Sequence, residues 1–326
     1  RWERLKITGT KQEIAAMMRA IVTGATGMIG WNLIQYLVKQ NMEVLALVNP
    51  GSSRKDCIIK NPCVTIKECD LDELEQIELD DDPYDYFFHL GWKGTHGAGR
   101  EDMYIQEENV RNSLCAVDLA AKAGCKVFVG AGSQAEYGSS YTEKLNDSLW
   151  PHPQTGYGIG KYMAGIMTRK RCQQLKIRHV WVRILSVYGP GDGLHTMVMS
   201  GIIKMLQGET AQYTRGEQQW DYLYVEDAVE ALYRVACNGQ DGKTYCLGSG
   251  RTRKLRDYIK DIQEVVNPTA QVQIGALEYP EGQVMYLCAD TAELENDTGF
   301  RSHTPFKKGI AQTVNWIREK GIYEKD

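Results

Sequence analysis

The run Ile21-Val22-Thr23-Gly24-Ala25-Thr26-Gly27-Met28-Ile29-Gly30 organises this chain. An apolar stretch ends in a Gly-x-x-Gly-x-x-Gly turn and an amphipathic stretch follows. That order predicts a strand, a tight turn and a helix N-terminus. Such a turn brings backbone N–H groups and the positive end of a helix dipole to one point, which suits a pyrophosphate. Gly24 is expected to make the turn, Gly27 to let backbone approach phosphate, and Gly30 to let the helix pack close to the strand. Thr26, Met28 and Ile29 complete the predicted cradle.

Outward from this turn, strands are predicted at Arg19–Thr23 and Glu43–Val48, with a helix at Met28–Lys39 that stops near Asn41. Dinucleotide folds that prefer NAD usually end the second strand in a carboxylate that grips the ribose 2′-OH. Here that position is Val48, followed by Asn49-Pro50-Gly51-Ser52-Ser53-Arg54. No carboxylate repels a 2′-phosphate, and Ser52, Ser53 and Arg54 are suited to bind one. The expected cofactor is NADP, with NAD as the other possibility. A third strand at Val64–Lys67 leads to Asp70-Leu71, placed for the adenine edge. Asp72–Asp82 reads as a solvated helix and turn closed by Pro83.

A fourth strand, Tyr84–Leu90, is apolar enough to be buried on both faces, and a Gly-rich loop with Trp92, Thr95, His96 and Arg100 follows it. A long helix at about Glu101–Ala123 and a fifth strand at Lys126–Ala131 continue the alternation. Strand and helix alternating at this spacing predict an α/β fold with a doubly wound parallel Rossmann sheet. Past residue 186 the pattern loosens into helical runs at Leu194–Leu206, Glu226–Cys237, Leu255–Val265 and Phe306–Lys320. The expected division is a dinucleotide domain over 18–185 and a smaller α/β substrate domain over 186–326. Segments near 215–247 are expected to return to the first domain. Residues 1–17 read as a tag or leader remnant ahead of a native start at Met17 or Met18.

The chain has 326 residues, 43% hydrophobic, with a formal net charge of −4. That supports a real core and gives no sign of a nucleic-acid surface. No run of 18 apolar residues is present, so no membrane span is expected. The nine cysteines are odd in number and scattered. They read as thiols in a reducing cytoplasm. His152, His179, His195 and His303 have no metal-ligand spacing, and no metal is expected.

The fifth strand runs into Gly132-Ser133-Gln134-Ala135-Glu136-Tyr137-Gly138, and further on comes Tyr157-Gly158-Ile159-Gly160-Lys161. A Tyr and a Lys four apart share one helix face. The ammonium favours the phenolate, and a Ser hydroxyl in the same cleft can hold a reacting oxygen. Together Ser133, Tyr157 and Lys161 suit proton exchange with a carbinol–ketone pair beside a nicotinamide.

At this point the sequence resembles the extended short-chain dehydrogenase/reductases, within them the NAD(P)-dependent epimerase/dehydratase group that acts on nucleotide sugars. The resemblance runs from Met18 to near the end. Its motifs are Gly24-x-x-Gly27-x-x-Gly30, Asp70-Leu71, Phe88-His89-Leu90, Asn109-Val110, Ser133…Tyr137-Gly138, Tyr157-x-x-x-Lys161, Arg183…Tyr188-Gly189-Pro190 and Asp221-Tyr222-Leu223-Tyr224-Val225-x-Asp227. It implies that Ser133, Tyr157 and Lys161 are catalytic. It implies that Asn49, Asp70, Leu71, Leu90, Gly91, Asn109 and Leu185 join Tyr157 and Lys161 around the dinucleotide. Trp92, Thr95, Gln134 and Ser186 fall on the substrate side. It further implies a homodimer through a four-helix bundle, with Leu114, Val117, Ala121, Met163, Ile166 and Met167 as compatible positions.

Several positions depart from the family pattern. Sugar 4,6-dehydratases carry a Glu two residues after the catalytic Ser or Thr, as the base for the C5 proton. Here Gln134 and Ala135 follow Ser133, and Glu136 comes one place later, on the opposite face of an extended segment. The Arg that often precedes Asp-Tyr is Trp220, the Asn of Arg-x-x-Asn is Ser186, and the Arg ahead of the segment holding Asp290 is lost around Pro280. A diphosphate wants cations. Lys204, Arg215, Arg251 and Arg253 are the replacements available, with Arg251 and Arg253 placed by the Gly248-Ser249-Gly250 loop. The expected activity is NADPH-dependent reduction of a nucleotide-linked 4-ketosugar. The alternative is a 4-epimerase with retained NAD. A non-catalytic dinucleotide-binding module is disfavoured because Ser, Tyr and Lys are all present.

Overall fold

The computed structural model describes residues 17–139, 141–280 and 282–324. The expected leader over 1–17 falls almost wholly on residues 1–16, outside the described part. Strands β1 (Arg19–Thr23), β2 (Glu43–Val48), β3 (Val64–Glu68), β4 (Tyr86–His89), β5 (Val127–Ser133) and β6 (Arg178–Ile184) alternate with helices α1 (Met28–Lys39), α2 (Met103–Lys122) and α3 (Gly156–Leu175). Short strands β7 (Ser186–Tyr188), β8 (Ala211–Tyr213), β9 (Gln219–Trp220) and β10 (Tyr222–Tyr224) follow, with α4 (Met197–Leu206) and α5 (Val225–Asn238) among them. The chain closes with β11 (Lys243–Leu247), β12 (Arg253–Lys254), α6 (Leu255–Val266), β13 (Val272–Ile274), α7 (Ala292–Thr298) and α8 (Phe306–Glu319).

Seven strands form one parallel sheet in the order β3-β2-β1-β4-β5-β6-β11. The order reverses between β1 and β4, so a crevice opens at their carboxyl ends, where such sheets bind ligands. β11 pairs with β6 from Lys243↔Val180 to Leu247↔Ile184. Side chains alternate across β1: Ala20 and Val22 pack with α1 and α5, while Ile21 packs with α2. Trp181 on β6 lies flat where Gly130, Gly132 and Gly165 leave room, since a Cβ on Gly130 would overlap its ring.

Local signals account for several helix ends. Asp102 caps α2 through Tyr104 N and Ile105 N, Thr155 caps α3 through Gly158 N, and Thr196 caps α4 through Met199 N. Asn41, in the left-handed region at φ 57°, stops α1 where expected. Two expectations change. The acidic stretch after Asp70 forms only a 3-10 turn, Leu71–Gln76, because Leu74 and Ile77 are the residues it buries and no apolar helical face follows. The segment after Ser133 is not extended: Gln134–Glu136 is a 3-10 turn closed by a capping box between Ser133 and Glu136.

The chain beyond β6 is tied to the sheet through buried Asp221. Its Oδ1 accepts from Ser249 N at 2.7 Å and Ser249 Oγ at 2.6 Å, and its Oδ2 from Gly250 N at 3.1 Å and Ala289 N at 3.0 Å. Asp221→Asn places an NH2 group against one pair of donors. The expected cost is about 2–4 kcal/mol of unfolding free energy, read from urea denaturation.

Candidate active site

The phosphate cradle is built by absence of side chains. A Cβ on Gly30 would overlap the Gly24 carbonyl oxygen, so α1 rests directly on the turn. Gly24 has φ 67°, and a Cβ there would stand 2.6 Å from Gly91 N. Gly27 caps α1 with no side-chain hydrogen bond, and the first turn carries no acidic residue. The N–H groups that open α1 are therefore free of side-chain caps beside Thr26, Met28 and Ile29. These residues fit the pyrophosphate of a dinucleotide.

The β2 end supplies the next wall. Ser52 Oγ donates to Thr26 Oγ1 at 3.1 Å, and Ser53 is exposed. Arg54 reaches across the crevice and donates to the Gly191 carbonyl at 2.8 Å. Asn49 donates to Asp70 at 3.0 Å, and Asp70 also accepts from Leu71 N and pairs with Lys93 at 3.0 Å. Lys93, which sequence reading passed over, bridges Asp70, Asp72 and Glu108. Burial, the largest single effect, raises the Asp70 carboxyl, but Lys93, Leu71 N and Asn49 together hold it below the usual carboxylate range.

At the end of β4, Thr23 Oγ1 accepts from Leu90 N and Gly91 N, each at 3.2 Å. It lies 2.9 Å from His89 Nδ1, and His89 Nε2 lies 3.1 Å from Ser113 Oγ. Ser113 donates to the Asn109 carbonyl, so it accepts from His89 Nε2–H, and Thr23 donates to Nδ1. Asn109 was expected at the cofactor. Its amide closes on the main chain of Lys93, Oδ1 accepting from Lys93 N and Nδ2 donating to Lys93 O, both at 2.8 Å. Gln106 does the same for the loop beyond, accepting from the Trp92 indole and donating to Gly94 O and Gly99 O. Leu185 is buried against Tyr137 and Leu287 at the end of β6.

Ser133, Tyr157 and Lys161 come together. Gly158 lets α3 approach the turn after Ser133, because a Cβ there would overlap the Ala135 carbonyl. Ser133 stands close enough to Tyr157 to pull its phenol down against burial. Lys161 donates to Ala131 O at 2.8 Å, with Nζ 5.8 Å from the Tyr157 ring centroid and 3.8 Å over the Trp92 ring. Arg100 covers the other side of Tyr157 at 4.3 Å. Burial pushes the Tyr157 phenol up, opposed by Ser133 and Arg100. Burial also pulls Lys161 down to about 7. A phenol flanked by the Ser133 hydroxyl, the Arg100 guanidinium and the Lys161 amine can pass a proton to or from a substrate oxygen.

The predicted substrate residues divide. Trp92, Thr95 and Gln134 border this centre: Trp92 lies edge-on to Tyr157, Thr95 O accepts from Arg100 at 3.3 Å, and Gln134 directly follows Ser133. Ser186 accepts from the Trp220 indole at 2.8 Å, so both departures from the family pattern bond to each other. Arg251 is exposed, and Arg253 pairs with Asp261 at 2.6 Å and stacks on Tyr258. The charge of Arg253 is thus committed to α6. Arg215 faces Glu278 at 3.9 Å and Lys204 is exposed. Arg100 escaped sequence reading as a partner of Tyr157; its place in a Gly-rich loop after a parallel strand was the available signal.

With fold and centre described, comparison defines the class. The sequence model of the NAD dependent epimerase/dehydratase family matches residues 20–248. The chain belongs to that family, and it is an enzyme of the extended short-chain dehydrogenase/reductase type that uses a nicotinamide dinucleotide. CDP-abequose synthase of Salmonella typhimurium is similar at 27% identity over 304 residues, covering 90% of this chain and 96% of that one. UDP-N-acetylglucosamine 4-epimerase from Methanobrevibacter ruminantium, solved with UDP-N-acetylmuramic acid, shares the fold at TM-score 0.85 and 21% identity, over 93% of this chain and 99% of that one. RMD from Pseudomonas aeruginosa, solved with NADPH, does so at 0.79 and 20%, over 93% and 100%.

Burial also sets a pH dependence. His89 and His179 are each pulled down to about 3 by burial, so both stay neutral in the fold. Unfolded, they take up protons below about 6.5. A depressed folded pKa means stability is full above that value and falls as pH drops. Between pH 7 and 5 these two histidines contribute up to two protons to the slope, about 2.7 kcal/mol per pH unit at the limit, and Asp192, raised by burial to about 6, subtracts up to one. Urea unfolding at stepped pH reads it, and replacing either histidine with Gln removes about one proton from the slope.

Proposed function

We propose that this enzyme is an NADP-preferring reductase of a nucleotide-linked 4-ketosugar. The observation that carries the reading is the turn after Ser133. Gln134 and Ala135 stand where a dehydratase base is needed, while Glu136 is spent on Arg183 in the interior. The centre therefore offers proton exchange at Tyr157 and no carboxylate for removing a C5 proton. Bound in the cradle at Gly24–Gly30, a nicotinamide dinucleotide supplies the hydride. Tyr157 gives its proton to the ketone oxygen. Ser133 Oγ accepts from Ala135 N at 3.2 Å, which leaves its own O–H to donate to that oxygen. The phenolate left behind lies between Lys161 and Arg100.

Val48 and Asn49 in place of a carboxylate support NADP. The exposed Arg54 needs only to leave one carbonyl to meet a 2′-phosphate with a stronger, charge-assisted bond. On this reading residues 18–185 hold the dinucleotide and 186–326 the nucleotide sugar, with β11 lent to the main sheet. A 4-epimerase with retained NAD is the second reading, since the same Ser133, Tyr157 and Lys161 serve both directions of hydride transfer.

A homodimer through α2 and α3 belongs to the same proposal. A groove of about 780 Å³ runs between them, lined by Met103, Tyr104, Val110, Leu114, Met163 and Met167. Of the expected contacts, Val117 and Ala121 pack instead against the sheet, in one core cluster with Ala116 and Phe87. The exposed Met103 and Tyr104 take their place on the outer face.

Denaturing the purified protein and identifying the released dinucleotide separates the readings. Readily exchanged NADP, with NADPH oxidation by nucleotide-linked 4-ketosugars, is expected. Near-stoichiometric retained NAD moves the assignment to the epimerase. Tyr157→Phe should lower kcat by about 10²–10⁴ while dinucleotide Kd changes less than about threefold. Arg54→Ala should weaken NADPH about tenfold and leave NADH nearly unchanged, measured by fluorescence titration.

A further inference from the structure

Glu136 takes no part in the reaction above, yet it is fully buried and more heavily bonded than any of the catalytic side chains. Its Oε1 accepts from the Ser133 main-chain N–H at 2.8 Å and from the Trp181 indole at 3.0 Å. Its Oε2 accepts from Arg183 Nε at 2.7 Å. Space is made for it: a Cβ on Gly132 would come within 2.5 Å of Oε1. A well-packed apolar group would fill such a site without needing three donors, so stability alone does not call for a charge here.

We propose that Glu136 is a positioning residue of the active centre, which holds Ser133 through its main chain and sets the charge around Tyr157 and Lys161. The inference rests on the hydride-transfer reading. Tyr157 is faced by Ser133, Arg100 and Glu136. Lys161 is faced by Tyr157, Trp92, Glu136 and His89. Around Glu136 and Arg183 stand Trp181, Tyr137, Cys246 and Asp147. For Tyr157, burial raises the phenol, Ser133 and Arg100 oppose it, and Glu136 adds to burial. For Lys161, burial lowers the ammonium and Glu136 opposes that. The Glu136 charge thus favours the protonated form of both groups, the state in which the centre can give up a proton and still keep a cation beside the phenolate.

Tyr157 can be titrated without substrate by NMR of ¹³C-tyrosine-labelled protein, with Tyr157→Phe identifying its signal. Glu136→Gln keeps an oxygen acceptor and removes the charge. Tyr157 is expected to titrate at least about half a pH unit lower in this variant. kcat for ketosugar reduction is expected to fall about ten- to hundredfold at nearly constant KM. Should the single variant fail to fold around an unpaired Arg183, Glu136→Gln combined with Arg183→Met is compared with Arg183→Met alone, so that the Glu136 charge is again the only difference read at Tyr157. A Tyr157 titration that does not move in the folded variant overturns the proposal, whatever stability is lost. A titration that moves in a protein transferring no hydride to any nucleotide-linked sugar upholds it and overturns the functional reading instead.

Discussion

Two opposite charges sealed beneath the end of β5 constrain everything built above them. Burying Glu136 and Arg183 is costly unless both are fully bonded. Arg183 also donates to the Tyr137 hydroxyl at 2.7 Å, and Tyr137 in turn donates to Asn146 O at 2.6 Å. Meeting these demands forces the chain after Ser133 into a 3-10 turn. α3 then docks on that turn through Gly158, and Tyr157 and Lys161 take their places from it. Thus the active hydroxyls inherit their geometry from an ion pair that none of them touches through its own side chain.

The opposite wall is a loop with almost no regular structure, and it is braced differently. Gln106 and Asn109 on α2 spend their amides on its main chain at Lys93, Gly94 and Gly99. Lys93 then clamps it to Asp70 and Glu108. The braced loop presents Trp92 to Lys161 and Arg100 to Tyr157. Each cation–ring contact is worth about 0.5–2 kcal/mol, more when water is excluded. Arg100 and Lys161 approach the phenol from different elements, so the charge that develops there is shared between both walls of the crevice.

What sequence reading recovered and what it missed divide along range of interaction. β1, α1 and β2 were legible residue for residue, because buried runs, glycine turns and the Asn41 stop all act locally and agree. Tyr157 and Lys161 were legible for the same reason, since i and i+4 share a face on any helix. The pairing of Arg100 with Tyr157 was not, because a loop residue's partner is set by tertiary braces that carry no period. Asn109 was singled out by motif, but its bonds to the main chain of Lys93 are long-range contacts that no local pattern shows. Arg253 shows the converse: its loop was readable, but the Asp261 that claims its charge lies on the next helix, and nothing in the local pattern ties the two.

The placement of one carboxylate limits the chemistry open to this centre. A base that removes a carbon-bound proton must project toward the substrate from the turn after Ser133. Ala135 cannot, and its N–H instead supports Ser133 Oγ. Glu136, one residue further, is rotated by the 3-10 turn onto Trp181 and Arg183 and serves the interior. The carboxylate has moved from the place of a reagent to the place of a brace. On the proposed reading no carboxylate projects from this turn, and hydride given to the carbonyl carbon has no elimination to follow it. On the proposed reading a ketone then leaves as an alcohol and the dinucleotide must be exchanged each turnover. One contact across the crevice can open at little cost, the exposed Arg54 on Gly191 O. Exchange through such a mouth is compatible with a consumed cofactor, whereas a retained one would favour bonds buried from solvent on both sides.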